Sequence, residues 1–272
     1  MYSNHITIMF EYRFRHCAGR AAIYILVFLF LHCSTHAQGK WQLQAAPVLC
    51  KTTFIDKSYS TTTFSGFIPG GALSLSYIKG GTTHQLDLLF TGGTLKTGTH
   101  PVYTASQKRI GVDYTNLYTI IAPGSSPLTV EAGGALNILY AGRTFHDFIN
   151  SNTSFDLAAS LGAAARLSLS FESSLPGFSL SDRVAMPLIT WLVQPAYGNE
   201  DPSLYINQPG AHHRIAGPDG FLRLTNFLSL DKNFSSRQKL SLTYTWDYYR
   251  INAPQESREA DHRLGLNYSL IL

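Results

Sequence analysis

The sequence FDLAASLGAAARLSLSF, Phe155–Phe171, alternates strictly between two kinds of side chain. Its odd-numbered residues are all apolar, whereas the residues between them are small, polar or charged, including Asp156 and Arg166. A period of two predicts a β-strand with one apolar and one polar face. Strands of soluble proteins average ~5–6 residues, whereas a membrane-spanning strand needs ~9–11 and carries aromatic residues near both interfaces. We therefore interpret 155–171 as one strand of a transmembrane β-barrel.

The composition of the whole chain agrees with a wall that faces lipid. Charged residues make up 14% and hydrophobic residues 44%, with 15 Tyr and 16 Phe. The formal charge of +4 is too small to indicate a nucleic-acid partner, and no phosphate-binding or zinc-protease motif occurs. We expect no cofactor and no metal.

The first 37 residues have the pattern of a secretory signal peptide. Arginines, among them Arg20, precede the apolar run Ala21–Leu31, which is shorter than the ~20 residues of a spanning helix. We predict cleavage after Ala37, so that 1–37 is a signal peptide and 38–272 a single barrel domain; the start could be Met1 or Met9. Cleavage would leave Cys50 as the single cysteine, which excludes an intrachain disulfide.

Alternation elsewhere predicts an all-β, closed, antiparallel up-and-down barrel of about ten strands, with eight or twelve as alternatives. The predicted strands are Lys40–Leu49, Gly71–Lys79, Thr83–Thr91, Gln107–Ile121, Leu128–Gly142, Phe155–Phe171, Phe178–Gln194, Phe221–Leu230, Gln238–Arg250 and Asp261–Leu272. Pro187 breaks the alternation of its strand, and since proline cannot donate to a ladder we expect a β-bulge there.

The predicted connections alternate between short and long. Short turns are expected at 79–82, 122–127, 172–177 and 231–237, and long loops at 50–70, 92–106, 143–153, 195–220 and 251–260. Short periplasmic turns and long external loops are typical of transmembrane barrels. Because the strand number is even, both termini should lie on the same side, in the periplasm.

With its signal peptide, its alternating strands and its C-terminal strand LGLNYSLIL, the chain resembles small outer-membrane barrel proteins of Gram-negative bacteria, including those of the Bacteroidota. Such barrels usually end on an aromatic residue that the assembly machinery reads. This chain ends on Leu272, with Tyr268 the nearest aromatic residue of that face. The resemblance implies a location in the bacterial outer membrane, with outer-membrane lipid and the assembly machinery as partners and an unknown extracellular ligand.

The polar face of the predicted strands carries acids and arginines that should point into the lumen. They are Asp87, Arg109, Asp113, Glu131, Asp156, Arg166, Arg183, Arg223, Asp247 and Arg263. A barrel of about eight to ten strands is just wide enough for side chains to fill, and charges removed from water need partners. We favour pairing that plugs the lumen over a selective path for ions or solutes.

Two residue patterns allow an enzymatic alternative. Asp261-His262, beside Asp247, resembles the Asp-His pair of the ten-stranded omptin proteases, but the residues are adjacent and His262 has the parity of the lipid face. His84 and Ser74 form the nearest match to the His and Ser of lipid-facing lipases. Neither pattern is specific.

The longest predicted loop, 195–220, contains His212, His213 and Arg214, which we consider as loop binding residues. Asp219 could join the histidines as a metal ligand, but a solvated surface loop is the simpler interpretation. The sequence thus predicts a non-enzymatic barrel, either a structural or surface-interaction protein or a narrow channel. An outer-membrane hydrolase that acts on lipid or peptide is the alternative.

Overall fold

The structure, a computed structural model, describes residues 39–57, 60–122, 127–147, 153–172, 174–194, 213–252 and 256–272; the predicted signal peptide lies outside them. The strands are β1 (Lys40–Asp56), β2 (Ser60–Lys79), β3 (Thr82–Thr97), β4 (Thr104–Ile121), β5 (Leu128–Phe145), β6 (Thr153–Ser170), β7 (Phe178–Val193), β8 (His213–Ala216), β9 (Phe221–Asn233), β10 (Gln238–Ile251) and β11 (Ser257–Ile271). No helix in this part of the chain is long and apolar enough to cross a membrane.

Every strand pairs antiparallel with its neighbours, in the order β6-β5-β4-β3-β2-β1-β11-β10-β9-β7, and β6 also pairs with β7. The sheet therefore closes on itself. The four-residue β8 continues β9 along β7, because β7 pairs with β9 over Phe178–Ala185 and with β8 over Thr190–Val193. Counting β8 and β9 as one wall element, the barrel has ten strands, which confirms the predicted fold class.

Side chains alternate between the two faces of the wall along each strand. On β6, Leu161 and Leu167 are 58% and 51% exposed on the outer face, while Ala158 and Ala164 are buried inside. Aromatic pairs mark both ends of the outer apolar band: Trp41 and Tyr77 at one end and Trp246 and Tyr248 at the other, with ring centroids 4.8 and 6.3 Å apart. This is the surface of a transmembrane barrel.

We call the end that carries Lys40 and Ile271 the proximal end and the opposite one the distal end. The long loops predicted at the distal end are wrong in several places, because the strands extend further. β1 continues to Asp56 and β2 begins at Ser60, so most of 50–70 is strand, and 92–106 and 251–260 are shortened in the same way. Beyond the distal edge of the apolar band, the inner face of the wall is apolar and the outer face polar. Phe54 and Phe64 face inward there, while Lys51 faces outward. Strand ends predicted from outward apolar residues are therefore placed too early.

The bulge expected at Pro187 is confirmed. Leu161 of β6 pairs with Ile189 and Gly162 pairs with Pro187, so one residue of β7 is unmatched. The bulge reverses the parity of the rest of the strand. Alternation continued from Val184 and Met186 predicts that Leu192 faces outward, whereas it is fully buried on the inner face.

Candidate functional site

All ten charged residues predicted for the lumen have their side chains on the inner face. They fall into two groups, one in the proximal half of the barrel and one in the distal half. In the proximal half, Arg183 contacts Asp87 at 2.6 Å, and Arg166 contacts Glu131. These pairs retain some contact with solvent.

The distal group is organised around Arg109, which is fully buried. Its guanidinium donates to Asp247 at 2.6 Å and to Glu259 at 2.8 Å, and it also contacts Asp261. Arg109 lies on β4 and Asp247 on β10, which are five strands apart around a ten-strand wall. The ion pair therefore crosses the full width of the lumen.

Arg143 makes a second crossing. It donates to Asp156 and to Glu259, both at 2.8 Å, and to the hydroxyl of Tyr249. β5 and β11, which carry Arg143 and Glu259, are again five strands apart. Arg143 and Glu259 are not predicted as lumen residues from the sequence, because both lie in segments interpreted as loops, although Arg143 continues the inward parity of β5.

Asp247 is shared by three arginines. Besides Arg109, Arg223 and Arg263 each reach it at 2.8 Å, and Arg223 also contacts Asp113 at 2.9 Å. Since a buried charge is tolerated only with close partners, this arrangement fixes the positions of three arginines in the middle of the lumen.

Apolar side chains fill the lumen around these ion pairs. One cluster comprises Cys50, Phe54, Phe64, Ile68, Leu95, Ala105 and Phe145, and the guanidinium carbon of Arg143 lies 5.0 Å from the centre of the Phe54 ring. A second cluster comprises Leu139, Ala141, Ala158, Leu192, Ala216, Phe221, Tyr249 and Ile251. The free thiol of Cys50 thus belongs to the packed interior rather than to a strand end. Together the ion pairs and the clusters occupy the lumen of the distal half.

The proximal half is more open. A cavity of about 80 Å³ lies there, lined by polar residues that include Gln44, Ser74, Asp87 and Asn267. Ligand pockets usually measure ~300–1,000 Å³. The cavity therefore has room for water but not for a large solute.

The enzyme sites considered from the sequence are not assembled. Asp261 is buried in the lumen, whereas His262 lies on the outer face, where its Nδ1 is 2.7 Å from the hydroxyl of Tyr244. Ser74 likewise faces the lumen while His84 lies outside. Among the described residues no group of three or more His, Cys, Asp or Glu could hold a metal ion.

Of the loop residues considered for binding, His212 lies outside the described residues, and the interpretation of His213 and Arg214 as loop residues is wrong. Both belong to β8, and they point to opposite faces. His213 stacks on Trp191 with ring centroids 5.5 Å apart, and Arg214 donates to the carbonyl of Gly220 at 3.4 Å. The two side chains therefore do not form one site.

No protein-family model and no curated protein sequence matches the chain significantly. Among solved structures, the outer membrane protease OmpT from Escherichia coli aligns with a TM-score of 0.53 at 9% identity, over 86% of this chain and 96% of OmpT. The translocator domain of the autotransporter NalP from Neisseria meningitidis aligns with a TM-score of 0.45 at 12% identity, over 92% and 97%. The likeness to OmpT shows that the chain has the fold of a Gram-negative outer-membrane β-barrel, and at this identity it concerns the fold alone.

Proposed function

We propose that this chain is a non-enzymatic protein of the bacterial outer membrane whose barrel keeps its own lumen closed and serves as a structural or surface-interaction protein. The observation that carries the proposal is the pair of crossings in the distal half, Arg109–Asp247 and Arg143–Glu259. A solute could pass only after these buried ion pairs had separated.

The location and the orientation belong to the same proposal. The outer apolar band and the fold shared with OmpT support the outer membrane. Secreted barrels of even strand number keep both termini in the periplasm, which would place the distal end, with the ion pairs, at the cell surface. The exposed side chains of that end would then be available to an extracellular partner.

Conductance across a planar lipid bilayer tests the closed lumen. The refolded wild-type barrel should insert without producing stable current steps. Arg109→Ala combined with Arg143→Ala removes both crossings and should produce stable current steps. Arg166→Ala, in the half that is already more open, should not produce such steps. Stable current steps from the wild-type barrel would refute the proposal, whatever the variants do.

One observation favours a hydrolase as the second candidate. Ser106 Oγ lies 2.7 Å from His146 Nε2, at the distal end of the outer face. A hydroxyl that can pass its proton to a histidine is the first element of a serine nucleophile. The nearby carboxylate of Asp147 instead accepts a hydrogen bond from the backbone of Thr104 at 2.6 Å. A fluorophosphonate probe that labels the wild-type barrel but not Ser106→Ala would support this candidate, and equal labelling of both would exclude it.

A further inference from the structure

A basic surface lies on the outer face of β10, β11 and β1, just above the apolar band. Toward the distal end, the pair of Tyr244 and Leu264 forms the last apolar row. In the next outward row, Trp246, His262 and Lys51 lie side by side on the three strands. Lys51 is exposed. The change from apolar to basic side chains within one row marks the level where lipid headgroups begin.

In the next rows a small side chain is followed by a pair of cationic ones, and we call the space over this small side chain the depression. Ala260 pairs with Tyr248, so a small side chain lies between bulkier ones. One row further, Arg250 lies directly opposite Arg258. Like charges placed opposite each other on neighbouring strands destabilise a sheet, so an anion shared by the two guanidinium groups would stabilise this pair.

The protein itself supplies little negative charge here. The outward strand positions from Trp246 to Arg250, from Arg258 to His262 and from Lys51 to Ile55 include no Asp or Glu. The rim residue Glu256 contacts both Arg258 and Lys57, so it compensates only part of their charge. Arg250 Nε is buried and has no hydrogen-bond partner among the described residues.

We propose that this surface binds the phosphate group of a lipid headgroup, with Arg250, Arg258 and Lys51 as the cationic ligands and Ala260 as the floor. The position of the surface at the edge of the apolar band favours a lipid as the source of the anion. The phosphate then lies at the depth of the lipid headgroups, while the acyl chains lie along Leu264 and the apolar band. The stacked rings of Trp246 and Tyr248 form one side of the site. This inference requires only that the barrel spans a bilayer, whichever way it is oriented.

The chain offers a local reporter for the test. It contains three tryptophans, so Trp41→Phe with Trp191→Phe leaves Trp246 alone, inside the proposed site. This barrel is refolded into phosphatidylcholine vesicles that contain either dibrominated phosphatidate or dibrominated phosphatidylcholine at equal mole fraction. Bromine quenches tryptophan at close contact. Phosphatidate should quench Trp246 more strongly, and adding inorganic phosphate to the buffer should not reduce the difference.

Variants separate a built site from general attraction to a charged surface. One basic residue near a charged membrane is worth about a fivefold change in binding, so Arg250→Gln with Arg258→Gln should weaken the phosphatidate preference by about 30-fold. Lys40→Gln with Lys79→Gln removes the same charge at the proximal end, and Ala260→Leu fills the depression without changing any charge. The Lys40/Lys79 variant should leave the phosphatidate preference unchanged, and Ala260→Leu should reduce it.

Three results would overturn the proposal. They are equal quenching by the two brominated lipids, an equal loss in the Arg250/Arg258 and the Lys40/Lys79 variants, and displacement of phosphatidate by inorganic phosphate. The last would assign the surface to a soluble anion. Because the substituted side chains lie on the outer face or, for Lys40, are exposed at the proximal end, a gel-shift assay of heat-modifiable mobility suffices to confirm that each variant has folded.

Discussion

Replacing Arg109 by methionine should be among the most destabilising single changes in this barrel. The methionine keeps much of the volume but removes a fully buried cation that contacts Asp247, Glu259 and Asp261. Removing one partner of a buried ion pair costs ~3–5 kcal/mol, mostly because the other partner remains buried without compensation. We therefore expect the free energy of unfolding to fall by about that amount.

The three carboxylates do not suffer equally. Asp247 keeps two further arginines, and Glu259 keeps one. Asp261 is left with the hydroxyl of Thr52, which donates to it at 2.6 Å. Most of the cost should thus arise at Asp261, and a second substitution at that position should relieve it.

Urea titration of folding into phosphatidylcholine vesicles measures these differences. The double variant Arg109→Met/Asp261→Asn should recover about half or more of the stability lost in the single variant. The matched control Arg109→Met/Asp247→Asn should recover none, because it leaves two other arginines without their shared carboxylate. If Asp247→Asn restored as much as Asp261→Asn, or if the single variant lost less than about 1 kcal/mol, the assignment of partners would be wrong.

Three further predictions concern the wall. Leu161→Arg, at the centre of the outer apolar band of β6, should lower folding stability in vesicles by ~2–4 kcal/mol, whereas Leu167→Arg, near the proximal interface, should cost only ~0–1; equal costs would mean that the depth is misassigned. Gly162→Val should prevent folding as judged by gel mobility, because a Cβ would lie 2.1 Å from a carbonyl oxygen of β7, and normal folding would contradict the bulge. Thr99→Cys should react with an impermeant maleimide on intact cells and Ser235→Cys only after the outer membrane is opened; the reverse would invert the topology.

Where the alternation is regular, the direction of a side chain could be predicted from the sequence, whereas its depth could not; beyond the bulge of β7 the direction failed as well. In a ladder, the face on which a residue lies depends on its own position in the alternation, so Arg166 and Leu167 were assigned to opposite faces from local sequence alone. The sequence also led us to expect Leu167 near the middle of its strand. The structure instead places it opposite Asp182 near the proximal end, because depth depends on strand tilt and on where the strand begins.

The partners of the lumen charges also lay beyond sequence reasoning. Arg109 and Asp247 are 138 residues apart, and they meet because the barrel brings β4 opposite β10. That relation depends on the number of strands and on their stagger, which no single strand encodes. The alternation identified both as lumen residues, but not as one ion pair.

The segments that were missed carry the apolar side chains that pack inside the distal end of the barrel. Within the membrane the wall must be apolar outside, so the lumen receives the polar residues. Beyond the membrane the wall faces water, and the strands bury Phe54, Phe64 and Phe145 inside, as in a soluble protein. The rings of these residues pack within 5.0 to 6.1 Å of one another. A barrel that extends its strands beyond the bilayer therefore stabilises the extension with a core, and the same core occupies the lumen at this end. An open channel through this end would need a polar lining there, as the proximal half has.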